Sequence, residues 1–254
     1  MRNTALLLSY EGTAYHGWQI QKDEPTVQQT LSEAIKKLTG SWPSPELTGC
    51  GRTDAGVHAL NYVANFHHDS TVPAERMPYA LLPFLPPDIS VKAAREVPDD
   101  FNARFSCIKK EYCYRIYSAP FPDPFKRDRA CFTTYPLDVE RMNAAARLVE
   151  GRHDFAAFRA TGGSAKTSVR TVFSCRVEQE EDQTAVYISA DGFLYNMVRI
   201  IAGTLLYVSA GKIEPESITD IIEGRQRTSA GITMPPQGLY LRRVWYGERE
   251  GLDF

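Results

Sequence analysis

The chain has 254 residues, 43% hydrophobic and 24% charged, with a formal net charge of −2, an ordinary make-up for a globular protein of one large domain or two smaller ones. No apolar run is long enough to cross a bilayer, and the apolar start of the chain meets Glu11 and Gly12 without a cleavage-site pattern. The five cysteines (Cys50, Cys107, Cys113, Cys131, Cys175) are scattered and form no C-x-x-C pair, so a disulfide framework and a zinc site are unsupported and reduced thiols in a cytoplasmic protein are expected.

In chain order, Thr4 to Tyr10 reads as a strand, turned by Glu11-Gly12-Thr13. The aromatic and amide-rich Tyr15 to Gln21 stretch fits no regular element. Val27, Leu31, Ile35 and Leu38 then repeat at helical spacing, with Thr26 placed to cap the start and Gly40 the end. Leu60 to Phe66 is extended and apolar. Pro73 opens a short helix through Leu82, Pro83, Pro86 and Pro87 break the chain, and Ile89 to Val97 reads as a strand. Lys110 to Tyr117 alternates with Tyr112, Tyr114 and Ile116 on one face. Phe121 to Phe125 is a proline-stiffened connection, and Asp138 to Val149 is helical with Gly151 as a stop. Gly162 to Lys166 is a surface loop. Val169 to Val177 and Ala185 to Ala190 are strands joined by an acidic turn. Phe193 to Val208 reads as a helix ended by Gly211, Ile218 to Ile222 begins a short one, and Leu239 to Tyr246 closes as a strand. Two related α+β halves follow from this element order, 1–104 and 105–254, with helices packed on a sheet.

The stretch Gly49-Cys50-Gly51-Arg52-Thr53-Asp54-Ala55-Gly56-Val57-His58-Ala59 stands apart. Three glycines in eight residues mark a backbone that bends sharply or is closely approached. Between them sit a cation, a hydroxyl and a carboxylate at the entrance to a strand, where a sheet can fix a reactive group. Taken alone, Asp-Ala-Gly would suit an ordinary turn. Charge is also segregated: from Arg104 to Arg129 there are seven bases and three acids, net +4, while acids gather at Glu178 to Asp182 and near the C-terminus. A neutral chain with such segregation can offer a basic groove to phosphates. His16, His67 and His68 have no acid or cysteine at ligand spacing, so no metal site is read, and His58 reads as structural.

With Val63-Ala64-Asn65-Phe66 behind it, the glycine-rich stretch resembles the TruA family of tRNA pseudouridine synthases. Four further stretches agree in order and spacing: Tyr10 to Gln19, Lys110 to Ile116, Asp191 to Arg199, and Gly238 to Leu241. The resemblance covers nearly the whole chain. It implies an α+β pseudouridine synthase fold, with two RRM-like (ferredoxin-like) halves sharing a mixed, mainly antiparallel sheet, helices packed on it and a central cleft. It also implies a homodimer acting on tRNA, isomerising uridine to pseudouridine at positions 38, 39 and 40 of the anticodon stem-loop without cofactor.

Such a reaction detaches uracil from C1′ at N1, turns it and rejoins it through C5. One ionised carboxylate suffices, as nucleophile or base. By resemblance it is Asp54, whether it attacks the base, attacks C1′ or abstracts the C2′ proton. Arg199 would pair with it and keep it charged once water is excluded. Tyr112 would stack on the target base, and Arg52 would enter the space left by the flipped nucleotide. Tyr114 reads as a core residue of its strand. Glu11 stands where the family usually has aspartate, and Lys109-Lys110-Glu111 departs from the usual sequence before Tyr112, which bears on RNA contacts. A non-catalytic tRNA binder and an N-glycoside hydrolase are the rival readings; the second normally needs paired carboxylates, and no partner stands near Asp54 in sequence.

Overall fold

Strand β1 (Arg2–Tyr10) alternates so that Leu6 and Leu8 are fully buried on one face. The computed structural model describes residues 1–40 and 47–247; the acids near the C-terminus, Glu248 to Asp253, lie outside these described residues. After β1, helix α1 (Val27–Thr39) starts where the Thr26 side chain accepts from the Gln29 N–H and stops at Gly40, whose φ of 80° closes it in the left-handed region. Its buried face carries Val27, Leu31, Ala34 and Ile35, and each fully buried Leu or Ile contributes about 1.5–3 kcal/mol. The two-residue β2 (Thr48–Gly49) leads to β3 (His58–His68). A 3-10 turn (Ala74–Arg76), α2 (Met77–Leu81) and a second 3-10 turn (Leu82–Phe84) precede β4 (Ile89–Val97). The prolines account for this broken helix by removing N–H donors and fixing φ.

The contacts divide the chain into two units, Met1–Ile108 with Leu241–Phe254, and Lys109–Tyr240. In the first, β1 lies between β3 and β4, antiparallel to both, and β2 pairs with β3. Leu6 faces Ala64 and Leu8 faces Tyr62. The buried side chains of Asn3 and Asn65 answer each other across the sheet, Asn65 Nδ2 donating to Asn3 Oδ1 at 2.9 Å. Both also donate to the Phe101 carbonyl, and the Ala103 N–H donates to Asn65 Oδ1. This amide pair satisfies the backbone of the segment leaving β4, as buried polar groups must be.

The second unit begins within β5 (Cys107–Ser118). It continues through β6 (Cys131–Thr133), α3 (Val139–Arg147), β7 (Gly151–Asp154), β8 (Val169–Glu180), β9 (Gln183–Ala190), α4 (Met197–Ser209) and α5 (Ser217–Gly224) to β10 (Leu239–Tyr246). Strands β5, β9, β8 and β7 run in that spatial order, antiparallel throughout, and β6 joins β5 in parallel. Helix α3 packs on β8 and α4. Helix α4 is buried nearly all round, through Met197, Val198, Ile201, Leu205 and others, as expected of a central helix.

Three expectations are corrected. Helix α4 starts at Met197 rather than Phe193, because Asn196 takes φ 59° and breaks the run, so Leu194 is buried in the preceding turn. Gly151 does not stop α3, whose last residue is Arg147, but opens β7. The acidic cluster is mostly strand: only Glu181 and Asp182 lie between β8 and β9, with Glu181 at φ 38°. Among the described residues no helix is long and apolar enough to cross a membrane.

Candidate active site

The Gly49–Ala59 loop is held by aromatic residues of β1, of β3 and of the segment between β1 and α1. Trp18 stacks on Tyr62 with ring centroids 4.1 Å apart, and the Tyr10 ring lies 5.6 Å from Tyr62. The Tyr62 hydroxyl donates to the Gly51 carbonyl. Tyr10 Oη and Thr53 Oγ1 share a 2.8 Å hydrogen bond, and the Trp18 N–H donates to the Thr53 carbonyl at 3.2 Å. Beyond the aspartate, the Val57 N–H donates to the Asp54 carbonyl at 3.1 Å and the Gly56 N–H to the Tyr15 carbonyl at 3.2 Å. Gly17 sits directly against this loop at φ 86°, where a Cβ would overlap the Thr53 carbonyl oxygen. Main-chain groups before, at and after Asp54 are therefore tied, and its half-buried carboxylate is presented by a fixed backbone. Arg52, two residues earlier, is exposed.

His58 is buried, and its Nδ1 accepts from the Gly12 N–H at 3.0 Å. A nitrogen that accepts carries no proton, so the ring is neutral at Nδ1 and structural. Tyr15 anchors the other end by donating to Asp88 Oδ1 at 2.7 Å; burial and that bond raise its hydroxyl pKa well above the usual value.

In the second unit, Tyr112 is half-buried on β5, opposite Ile188 of β9, with its ring edge-on to Phe193 at 4.9 Å. Arg199 lies in the first turn of α4. Its Nε donates to the Met234 carbonyl at 2.6 Å and its Nη1 to Asn196 Oδ1 at 2.7 Å. Tyr114 is fully buried and donates to the Pro235 carbonyl at 2.6 Å, a core role. Arg52 and Asp54 thus belong to the first unit, Tyr112 and Arg199 to the second.

The clamp of Tyr10, Gly17 and Trp18, and the Asn196 and Met234 contacts of Arg199, went unassigned in the sequence. The signal for the clamp was there: glycines interleaved with aromatics from Tyr10 to Trp18 are a backbone that something packs closely against. The other histidines have local partners, His16 with Glu24 at 3.2 Å, His67 with Asp99 at 3.1 Å and His68 with Thr4 at 2.9 Å. Among the described residues no three His, Cys, Asp or Glu side chains are grouped to hold a metal ion. None of the five cysteines is in a disulfide; burial pushes Cys113 up to about 11 and Cys175 up to about 12.

The sequence matches the family described as tRNA pseudouridine synthase over residues 7–106 and 145–247. These spans take in Arg52, Asp54 and Arg199, while Tyr112 lies between them. Relatives agree over the full length. The tRNA pseudouridine synthase A of Thermoanaerobacter sp. (strain X514) is 49% identical over 97% of this chain and 100% of its own. That of Acetivibrio thermocellus is 50% identical with the same coverage. The tRNA pseudouridine synthase A 2 of Clostridium perfringens is 46% identical, again over 97% and 100%. On a family match that covers most of both units and includes the anchored Asp54 loop, the chain belongs to the tRNA pseudouridine synthase family.

Proposed function

We propose that this tRNA pseudouridine synthase converts uridine to pseudouridine at positions 38, 39 and 40 of the anticodon stem-loop, with Asp54 as its essential carboxylate. The observation that carries the assignment of Asp54 is its loop, tied by backbone bonds on both sides of the residue. The reaction breaks N1–C1′ and forms C5–C1′; a proton leaves C5 and one is gained at N1. No net electrons move, so the chemistry asks only for a placed carboxylate and control of protons. Asp54 acts as nucleophile or base. Arg199 pairs with it and keeps it ionised in a site that sheds water. Tyr112 stacks on the uracil, a contact typically worth about 1–3 kcal/mol, with Phe193 bracing its ring. Arg52, exposed beside the aspartate, takes the place of the flipped nucleotide. The working form is a cytoplasmic homodimer, a reading that rests on the family resemblance alone.

The test is mapping of pseudouridine by carbodiimide labelling and primer extension on unmodified tRNA transcripts, without added metal or nucleotide. Anticodon-arm signal with wild type and none with Asp54→Asn or Asp54→Ala, tRNA binding being kept, is the expected result. Near-normal conversion by either variant removes Asp54 from the mechanism. Tyr112→Phe keeps most activity if the ring face is what matters; complete loss would give the hydroxyl a direct part.

A further inference from the structure

We infer that Asn196 is a positioning residue that orients the guanidinium of Arg199. The inference rests on the reading of Arg199 as the partner of Asp54 and adds the device that aims it. Asn196 stands immediately before α4 at φ 59° and ψ 11°, a left-handed conformation that asparagine tolerates better than other residues with a side chain. An asparagine at a helix start ordinarily uses its side-chain oxygen to accept from the next turn's backbone N–H. Here it makes no such cap bond. Its Oδ1 accepts from Arg199 Nη1 at 2.7 Å instead.

The second constraint comes from the far side of the guanidinium. Arg199 Nε donates to the Met234 carbonyl at 2.6 Å, and the Met234 N–H donates back to the Arg199 carbonyl at 3.2 Å. The chain on either side of Met234 is held too: Tyr114 donates to the Pro235 carbonyl at 2.6 Å and the Gly231 N–H donates to Thr204 Oγ1 at 2.8 Å. A planar group bonded at Nε and at Nη1 has both its position and its rotation set. Asn196 thus holds the guanidinium at a second atom, beyond the Met234 bond.

Asn196 can be tested because its backbone and side-chain roles separate. Asn196→Gly accepts the left-handed conformation without strain and deletes only the acceptor; Asn196→Asp keeps an acceptor in place. Both are compared with wild type and Arg199→Ala in steady-state turnover of unmodified tRNA transcripts from pH 5 to 8. Loss of one hydrogen bond to a charged group predicts a fall in kcat of about 10-fold for Asn196→Gly, with KM within about twofold of wild type. The acid limb of kcat should move to higher pH in this variant, since a poorly aimed cation supports the ionised carboxylate less. Asn196→Asp, which restores the aim but adds a second anion on Arg199, should recover kcat in part while leaving the acid limb high. Wild-type kcat and pH profile in Asn196→Gly would overturn the positioning role. If Arg199→Ala turns over normally, the reading of Arg199 falls and Asn196 with it. If Arg199→Ala is inactive while Asn196→Gly is normal, only the role of Asn196 falls.

Discussion

Thr53 shows how much of the Asp54 loop's placement hangs on single residues. Its hydroxyl meets Tyr10 at 2.8 Å in a buried setting. Thr53→Val keeps the shape and removes this hydrogen bond, at about 0.5–1.5 kcal/mol. Denaturant unfolding should show that loss, and Tyr10→Phe in the same background should return part of it, as a double-mutant cycle reads directly. The cysteines make a second prediction at this scale. Cys175, with its thiol pushed up to about 12, is protonated throughout the physiological range and shielded from reagent. Cys107 is the one thiol of the five that is not buried. Brief alkylation of native protein at pH 8, read by mass spectrometry, should label Cys107 first. Labelling of Cys175 at the same rate would mean that the β8 strand opens readily.

Between β1 and α1 a segment with no regular structure does the work of an element. Gly17→Ala places a methyl group against the Thr53 carbonyl oxygen and forces alanine to φ 86°. Strain of this kind costs of order 1–3 kcal/mol, and it falls on the backbone at Thr53 and Asp54. A reduced melting temperature together with a disproportionate fall in kcat is expected; a fall in stability with unchanged kcat would show that the loop yields elsewhere. This segment was illegible as an element because neither period 2 nor period 3.6 runs through it. Its meaning is tertiary, in the aromatic stack with Tyr62. By contrast α1 could be read residue by residue, since Thr26 and Gly40 act locally on the backbone. The start of α4 is hidden in the sequence because Leu194, Met197 and Val198 continue the apolar spacing, and only the backbone angle of Asn196 breaks it. Periodicity reports burial, and Leu194 is buried without being helical. At the site, Asp54, Arg52, Tyr112 and Arg199 are legible only through likeness of motif; their supporting bonds join residues far apart in sequence, such as Arg199 with Met234, which no local pattern encodes.

For the whole molecule, acid and salt are the informative variables. His68 is buried, and burial and the nearby Arg2 lower its pKa from the ordinary 6.5. The unfolded chain therefore takes up this proton first, so its contribution to stability is present above about pH 6.5 and is lost as pH falls through the folded value. Melting temperature should drop on acidification below that point, and His68→Gln should flatten the dependence. An unchanged profile would remove His68 as the source. The Arg104–Arg129 stretch, net +4, makes the matching forecast for RNA: affinity for tRNA should fall linearly on a log–log plot against salt, each neutralised phosphate contributing a slope of about 0.7–0.9. Salt-independent binding would reject a basic contact surface.

The last strand has a consequence for how the protein is born. Its closing residues belong to the first unit: Asn61 donates to the Arg242 carbonyl at 2.9 Å, Tyr246 donates to the Ala103 carbonyl at 2.8 Å, and its ring lies edge-on to Phe101. A ribosome that has finished residue 108 has not yet made all of the unit those residues begin. The nascent first unit must wait for more than a hundred further residues before Tyr246 emerges, and a chain arrested just short of β10 would hold Asp54 in an unfinished scaffold.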